Sequence, residues 1–433
     1  MPRIALVVPY FPPEAGGGVF RALKLVPHLT RHGWDPEIFT VENPGIATDT
    51  TLLDEIDPQL PVHRVYANAA LRLQRGPFRK FGFAFDALGL SATSADQWDQ
   101  LAQQLVESHR EAPFDLIFST SPPPASHRAV LAALDQLKPE SRPPWVADFR
   151  DPWRRGFTYR PASDAEASLD VRDEGRVLLN ATRVTTTVHT SMLASMMEHS
   201  LTTERLVWIP NGFDPEDLVG LPPAPAPPTV PTAANPLRFG YAGSLYGAYN
   251  LDLFLQGLAQ LLEVRSEWRA GVRLELFGPR SKQTVELIKR RQLEDVVEMH
   301  GYMAHKAVLR ALAACHWVLV TMPQDPRALD SVPGKLYEYL AARFPVLAFA
   351  SADGAIAKLL HETQGGGLIT TLDPAEVAAD LATLVQSGVQ PTAGAPPPGF
   401  ASFQARYARP ALAAEFVRVF TDALHANLPS ERA

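Results

Sequence analysis

The chain is short of what a disulfide-built, metal-built or membrane-spanning protein needs. One cysteine, Cys315, stands among 433 residues. That excludes an intrachain disulfide framework, and its place in the apolar run 313–318 predicts a buried, inert thiol in a reducing compartment. No two aspartates are separated by a single residue, so no Asp-x-Asp pair is available to hold a divalent cation against a diphosphate. The 12 histidines include no His-x3-His pair with a glutamate, and His316 beside Cys315 reads as core, so no catalytic metal is expected. No run of 18 residues is apolar and uncharged; the best, 340–359, is broken by Arg343, Pro345 and Asp353, so no membrane span is expected. The apolar run 4–8 is too brief and wrongly flanked for a signal peptide, which makes the cytoplasm the expected location. Excess positive charge is missing too: Lys and Arg total 40 against 47 Asp and Glu, for a net charge of -7, which argues against nucleic acid as a partner. Walker-A spacing and a Gly-x-Ser-x-Gly elbow are both absent, which disfavours P-loop and α/β-hydrolase chemistry.

What is present suits a large globular chain. Hydrophobic residues make up 46% and charged residues 20%, and the length exceeds the roughly 250–300 residues at which one core stops growing, so two domains are expected. Apolar runs at 4–8, 37–41, 62–66, 116–119, 145–149, 184–188 and 206–209 alternate with amphipathic segments at 19–30, 97–108, 125–137 and 165–179, the rhythm of a parallel sheet with crossover helices. Seven prolines between 222 and 236 interrupt it, since proline suits neither helix interior nor central strand. The rhythm restarts at 237–241, 273–277, 296–299, 317–321 and 346–349. The expected domains are therefore 1–217, a linker at 218–236, a second domain at 237–401 and a terminal helix at 402–433 that, with no strand after it, must pack back on a domain already formed. The fold class is α/β, with two Rossmann-like doubly wound domains facing across a cleft, and ligands belong at the strand C-termini.

Two stretches carry chemistry. The first strand leads into Pro9-Tyr-Phe-Pro-Pro-Glu-Ala-Gly-Gly-Gly18 and then a helix, so Gly16, Gly17 and Gly18 could present free amides to a phosphate or acceptor; an ordinary tight turn fits as well. The dinucleotide fingerprint is incomplete, because Arg21 stands at its third glycine, although Glu42 ends the second strand where a ribose-binding acid would sit. The second stretch is Asp330-Ser-Val-Pro-Gly-Lys-Leu-Tyr-Glu338. It reads as loop, then helix, placing Lys335 in a first turn where a cation opposes the helix dipole unless an anion also binds there. Glu338 follows one turn later and could accept from ribose hydroxyls; a surface Lys and Glu pair remains the alternative.

The second stretch resembles the Glu-x7-Glu region of family 4 retaining glycosyltransferases of GT-B fold, in its Gly-Lys-Leu-x-Glu-Tyr-Leu-Ala form. The likeness continues through Ile209-Pro-Asn-Gly-Phe-Asp214, Phe239-Gly-Tyr-Ala-Gly-Ser-Leu245, Leu276-Phe-Gly-Pro279 and Trp145-Val-Ala-Asp-Phe-Arg-Asp-Pro-Trp153, and so spans nearly the whole chain. The resemblance implies that Glu338 holds the nucleotide ribose, Lys335 the diphosphate, and Asp330, at the place of the first glutamate, the donor-sugar hydroxyls. Gly243 and Ser244 would offer amides to phosphate. Gly278, Gly334 and Leu336 complete the donor-binding set, Tyr302 matches the base-contacting position, and Arg280 could be a second cation for a departing diphosphate. In the first domain Asp151 is the catalytic candidate. This sequence departs from the family in three places. Asp330 replaces a glutamate, strand four ends Ser119-Thr-Ser-Pro122 where relatives carry a histidine, and Tyr246-Gly-Ala-Tyr-Asn250 lacks the usual arginine and lysine. The nearby His127 is not given that histidine's role.

From 59 to 85 no acidic residue occurs, while Arg64, Arg72, Arg75, Arg79 and Lys80 accompany Phe78, Phe81, Phe83 and Phe85. Such a patch could rest on the inner face of an anionic membrane through residues 64–85 or grip a lipid-linked acceptor; a loop with its rings tucked inward is the alternative. The resulting expectation is a retaining, metal-independent transfer from a nucleotide-diphosphate sugar to a sugar or lipid-linked acceptor, in glycan, polysaccharide or glycolipid biosynthesis. The nucleotide sugar is a co-substrate, and no cofactor is expected. Rival readings are a nucleotide-sugar epimerase or hydrolase on the same scaffold and a non-catalytic binding partner. A nicotinamide oxidoreductase is more distant.

Overall fold

The computed structural model describes residues 1–68, 94–245 and 251–426. The chain divides into two compact units, Met1–Pro210 with Arg409–Ala433, and Asn211–Ala408.

The first unit is built on a seven-stranded sheet: β1 (Arg3–Val7), β2 (Asp35–Val41), β3 (Val62–Val65), β4 (Leu116–Ser121), β5 (Trp145–Phe149), β6 (Arg183–Thr186) and β7 (Leu206–Trp208), in the order β3-β2-β1-β4-β5-β6-β7. Every pairing is parallel. Helices α1 (Phe20–Arg31), α2 (Ser94–Glu111), α3 (Ala125–Asp135), α4 (Asp164–Asn180) and α5 (His189–Glu198) are its crossovers. Alternate residues of β1 enter opposite cores, Ile4 and Leu6 one side, Ala5 and Val7 the other. A sheet covered on both faces needs continuous apolar strands, which is why the apolar runs identify them. A last helix, α13 (Arg409–His425), covers one face; Phe118 of β4 meets Phe416 and Phe420 at ring distances of 5.7 and 5.4 Å.

The second unit repeats the plan: β8 (Leu237–Ala242), β9 (Val272–Phe277), β10 (Val297–Gly301), β11 (Trp317–Thr321), β12 (Val346–Phe349) and β13 (Gly366–Ile369), ordered β10-β9-β8-β11-β12-β13 and parallel throughout. Its helices are α6 (Asp252–Val264), α7 (Lys282–Arg290), α8 (His305–Ala313), α9 (Gly334–Ala341), α10 (Ala355–Thr363), α11 (Pro374–Ser387) and α12 (Pro398–Tyr407). Helices α6 and α11 approach so closely that a Cβ on Gly257 would sit 2.3 Å from Val377. The order reverses beside β1 in one unit and β8 in the other, and at such switch points strand ends open a crevice for ligands.

Three details differ from the sequence expectation. Strand β13 was not expected, because Gly365-Gly-Gly367 hides it; glycine is needed, since a Cβ on Gly366 would lie 1.8 Å from the Val346 carbonyl oxygen. The unit boundaries fall at 210/211 and 408/409 rather than at 217 and 401. The proline-rich stretch is not a free linker but packs on the second unit, where Pro227, Pro228 and Pro231 are buried and Gln390 Nε2 donates to the Ala224 carbonyl at 2.7 Å. Among the described residues, no helix is long and apolar enough to cross a membrane. Most of the basic and aromatic segment lies outside the described residues. Arg64 is within them and turns inward, donating to the carbonyls of Phe11 and Pro12 at 3.1 and 2.6 Å.

Candidate active site

In the second unit the strand C-termini form a continuous row. Gly243 follows β8 at φ +132 and donates its amide to the Phe277 carbonyl at 2.8 Å; Gly278, after β9, donates to Gly301, the last residue of β10, at 2.8 Å. The Gly243 amide is thus used within the row. The residue matters through what it lacks. A Cβ on Gly278 would lie 2.3 Å from the Gly243 carbonyl oxygen, and one on Gly243 would lie 3.4 Å from Lys335 Nζ. Ser244 is exposed beside it, and Tyr241 donates its hydroxyl to the Ser244 carbonyl at 3.4 Å.

Lys335 reaches this row from α9. Its Nζ donates to the Ala242 carbonyl at 3.0 Å and lies 3.9 Å from the centre of the Tyr241 ring. Among the described residues no carboxylate is in ion-pair range of it, and burial pulls its pKa down to about 7. No side chain caps the start of α9, where Pro333 is the N-cap and Gly334 the first helical residue. The Leu336 amide turns back to the Pro333 carbonyl at 2.9 Å, and the rest of this uncapped helix start stands beside the half-buried Lys335 ammonium, an arrangement suited to an anion. Leu336 and Tyr337 are buried and fix the helix from behind, Tyr337 against Tyr407 of α12 at 4.9 Å between rings. Asp330 is half-buried in the loop that leads into the helix.

Glu338 takes a partner that sequence reasoning missed. Its two carboxylate oxygens lie 3.1 and 3.2 Å from His305 Nε2, at the start of α8. Tyr302 is exposed between β10 and that helix. Arg280 is exposed and donates to the Met299 carbonyl, so its guanidinium is engaged at the end of β10. Among the described residues one trio could hold a metal, Glu275, Glu298 and His300. Glu275 already pairs with Arg238 and His300, however, which makes it the middle of an ion-pair ladder across β8, β9 and β10. Cys315 is buried and its thiol is pushed up to about 12.

The first unit gathers the other candidates. Gly16 (φ +116) and Gly17 have open space where a Cβ would be, while a Cβ on Gly18 would lie 2.7 Å from the Tyr10 ring. Arg150 pins this loop by donating to the carbonyls of Gly18, Ser121 and Pro122 at 3.0, 3.0 and 2.7 Å. Asp151 is exposed next to it. Arg21 is no failed glycine position. Its guanidinium grips the fully buried Asp148 at 2.9 and 2.7 Å and donates to the carbonyls of Ile209 and Pro210. Burial pushes the Asp148 carboxyl up, but Arg21 with the hydroxyls of Thr120 and Thr185 more than reverses this and holds it below the usual range. His127 is fully buried, bonded to Ser119 at 2.7 Å, and burial drives its pKa down to about 3, so it is a neutral core residue. Glu42 accepts from the Ala67 amide at 2.9 Å, a local tie at the place a dinucleotide ribose would need.

Residues 16–212 match the family described as Glycosyl transferase 4-like domain, and residues 236–387 that described as Glycosyl transferases group 1. No match was found among curated proteins. Among solved structures, sucrose-phosphate synthase from Thermosynechococcus elongatus superposes with a TM-score of 0.67 at 16% identity, covering 98% of this chain and 100% of that one. A glycosyltransferase from Rickettsia africae gives 0.62 at 12%, covering 98% of each. HepE from Anabaena, in complex with UDP and glucose, gives 0.60 at 17%, covering 98% and 100%. These likenesses establish the fold. With one glycosyltransferase domain matched in each unit, the chain belongs to the glycosyltransferases of GT-B fold.

Proposed function

We propose that the chain transfers a sugar from a nucleotide-diphosphate donor, held by the second unit, to an acceptor hydroxyl handled by the first, with retention and without a metal. The observation that carries the reading is Lys335, a half-buried ammonium whose anchors are a carbonyl and an aromatic ring, beside an uncapped helix start. A diphosphate supplies the negative charge that such a place favours. Glu338, one turn along, would accept from the ribose hydroxyls, Asp330 would meet the sugar, and Tyr302 the base. A UDP-type donor is supported by the neighbour that holds UDP and glucose.

In the transfer, the bond between the anomeric carbon and the diphosphate oxygen breaks, and a bond to the acceptor oxygen forms on the same face. The acceptor's proton passes to a leaving-phosphate oxygen. Lys335 and the first-turn amides of α9 stabilise the charge that develops on the departing diphosphate. On the acceptor side the reading uses Asp151 and the loop of Gly16, Gly17 and Gly18. The products belong to glycan, polysaccharide or glycolipid synthesis.

The test is to incubate the protein with UDP-, GDP-, dTDP- and ADP-sugars, with and without sugar or lipid-linked acceptors. Diphosphate release that requires an acceptor, with the donor's anomeric configuration kept in the product, supports the reading. Release of free sugar or an epimer from donor alone would replace it with a hydrolase or epimerase, and an inverted product would remove retention.

A further inference from the structure

His305 occupies the first position of α8, three residues past Tyr302. Its Nε2 faces both oxygens of Glu338 at 3.1 and 3.2 Å, and its Nδ1 lies 3.8 Å from Oδ2 of Asp217, whose side chain is only 3% exposed. Lys306 closes the row, with Nζ 3.6 Å from the other Asp217 oxygen. An imidazole is therefore held between two carboxylates from sequence-distant elements, the turn Pro215–Leu218 and helix α9. An ionised carboxylate has about four acceptor sites. A donor that meets both oxygens from one side fixes the plane of the group and leaves acceptor sites on each oxygen for a pair of hydroxyls. Asp217 stands behind the ring at ion-pair distance, beyond a hydrogen bond, and biases the imidazole by its charge.

We propose that His305 is the positioning residue that holds the Glu338 carboxylate in the orientation a nucleoside ribose requires, with Asp217 as its backstop. The inference rests on the donor-site reading above. It predicts a division within the ligand: the nucleoside half depends on His305, and the diphosphate half, met by Lys335 and the start of α9, does not.

The experiment compares dissociation constants for UDP, GDP, dTDP, ADP and inorganic pyrophosphate in the full-length protein, its His305→Ala variant and its His305→Gln variant. For the nucleoside diphosphate that the unmodified protein binds, His305→Ala is expected to weaken binding about tenfold, the size of one charge-assisted hydrogen bond. Pyrophosphate binding should stay unchanged, and His305→Gln, which keeps a donor at the same reach, should recover most of the loss. If the alanine variant is unstable, His305→Leu, which keeps bulk without nitrogen, carries the same expectation. Unchanged nucleotide affinity, or an equal loss for nucleotide and pyrophosphate, overturns the positioning role while leaving the donor site standing. An unmodified protein that binds none of the four diphosphates overturns the donor reading and this inference with it.

Discussion

Arg21 in the first unit is buried and Lys335 in the second is half-buried, each near a sheet switch point, and the units treat these two cations in opposite ways. Arg21 is surrounded by the Asp148 carboxylate, bolstered by Thr120 and Thr185, and by two backbone carbonyls. Its charge is answered within the unit, and the network ties α1, β4, β5 and β6 to the Ile209–Pro210 backbone. Lys335 has a carbonyl and a ring, and its depressed pKa records what burial without a counter-charge costs. A paired buried cation is architecture, and one without a carboxylate partner is, in the proposed function, a place for an anion.

The contrast can be broken at either end. Arg21→Ala leaves the Asp148 carboxylate buried and unpaired, so urea unfolding should show a loss of about 3–5 kcal/mol. Lys335→Met should leave the unfolding midpoint of the unliganded protein unchanged or higher, because it removes a charge the fold does not pair. A loss as large as that of Arg21→Ala would erase the distinction. In turnover the order reverses: Lys335→Ala should slow the chemical step by about 10²–10³-fold, as removal of one donor to a developing oxyanion does, and unchanged turnover would end its role.

Glu338→Ala should weaken nucleotide binding by about 1.5–3 kcal/mol, the range of hydrogen bonds to a charged group, as read by titration calorimetry. The smallest effect is a pH slope. Burial sets the free Lys335 pKa at about 7, and a bound diphosphate raises it, so above pH 7 binding must take up a proton. Affinity should therefore fall as pH rises from 7 to 9, by at most about tenfold per unit. Lys335→Met should flatten that slope, and an equal slope in the variant would assign it elsewhere.

Much of the fold is legible in the sequence because both sheets are covered on two faces, so runs such as Ile4-Ala-Leu-Val7 and Trp317-Val-Leu-Val320 are apolar throughout. Strand β13 is not, because its close approach to β12 demands the glycine that marks a loop elsewhere. Helix α9 is legible because Pro333 and Gly334 open it and Lys335 and Glu338 share a turn. His305 is not, since 33 residues separate it from Glu338 and only the fold joins them. Its faint signal was a histidine opening a helix just after the strand-end Tyr302. Arg21 illustrates a different limit. Tested only against a glycine fingerprint, it reads as a mismatch, and its Asp148 partner lies 127 residues away. The Gly243 amide shows that a glycine at a strand end can be required for close packing rather than for an open donor.

The most direct measurement is thermal unfolding of the unmodified protein and of Glu338→Ala with UDP, GDP, dTDP, ADP, CMP and NAD. A ligand at 100 times its dissociation constant stabilises by about 2.7 kcal/mol. The account predicts a raised midpoint with a nucleoside diphosphate that is largely lost in Glu338→Ala. No shift with any diphosphate, or a shift with NAD alone, would contradict it.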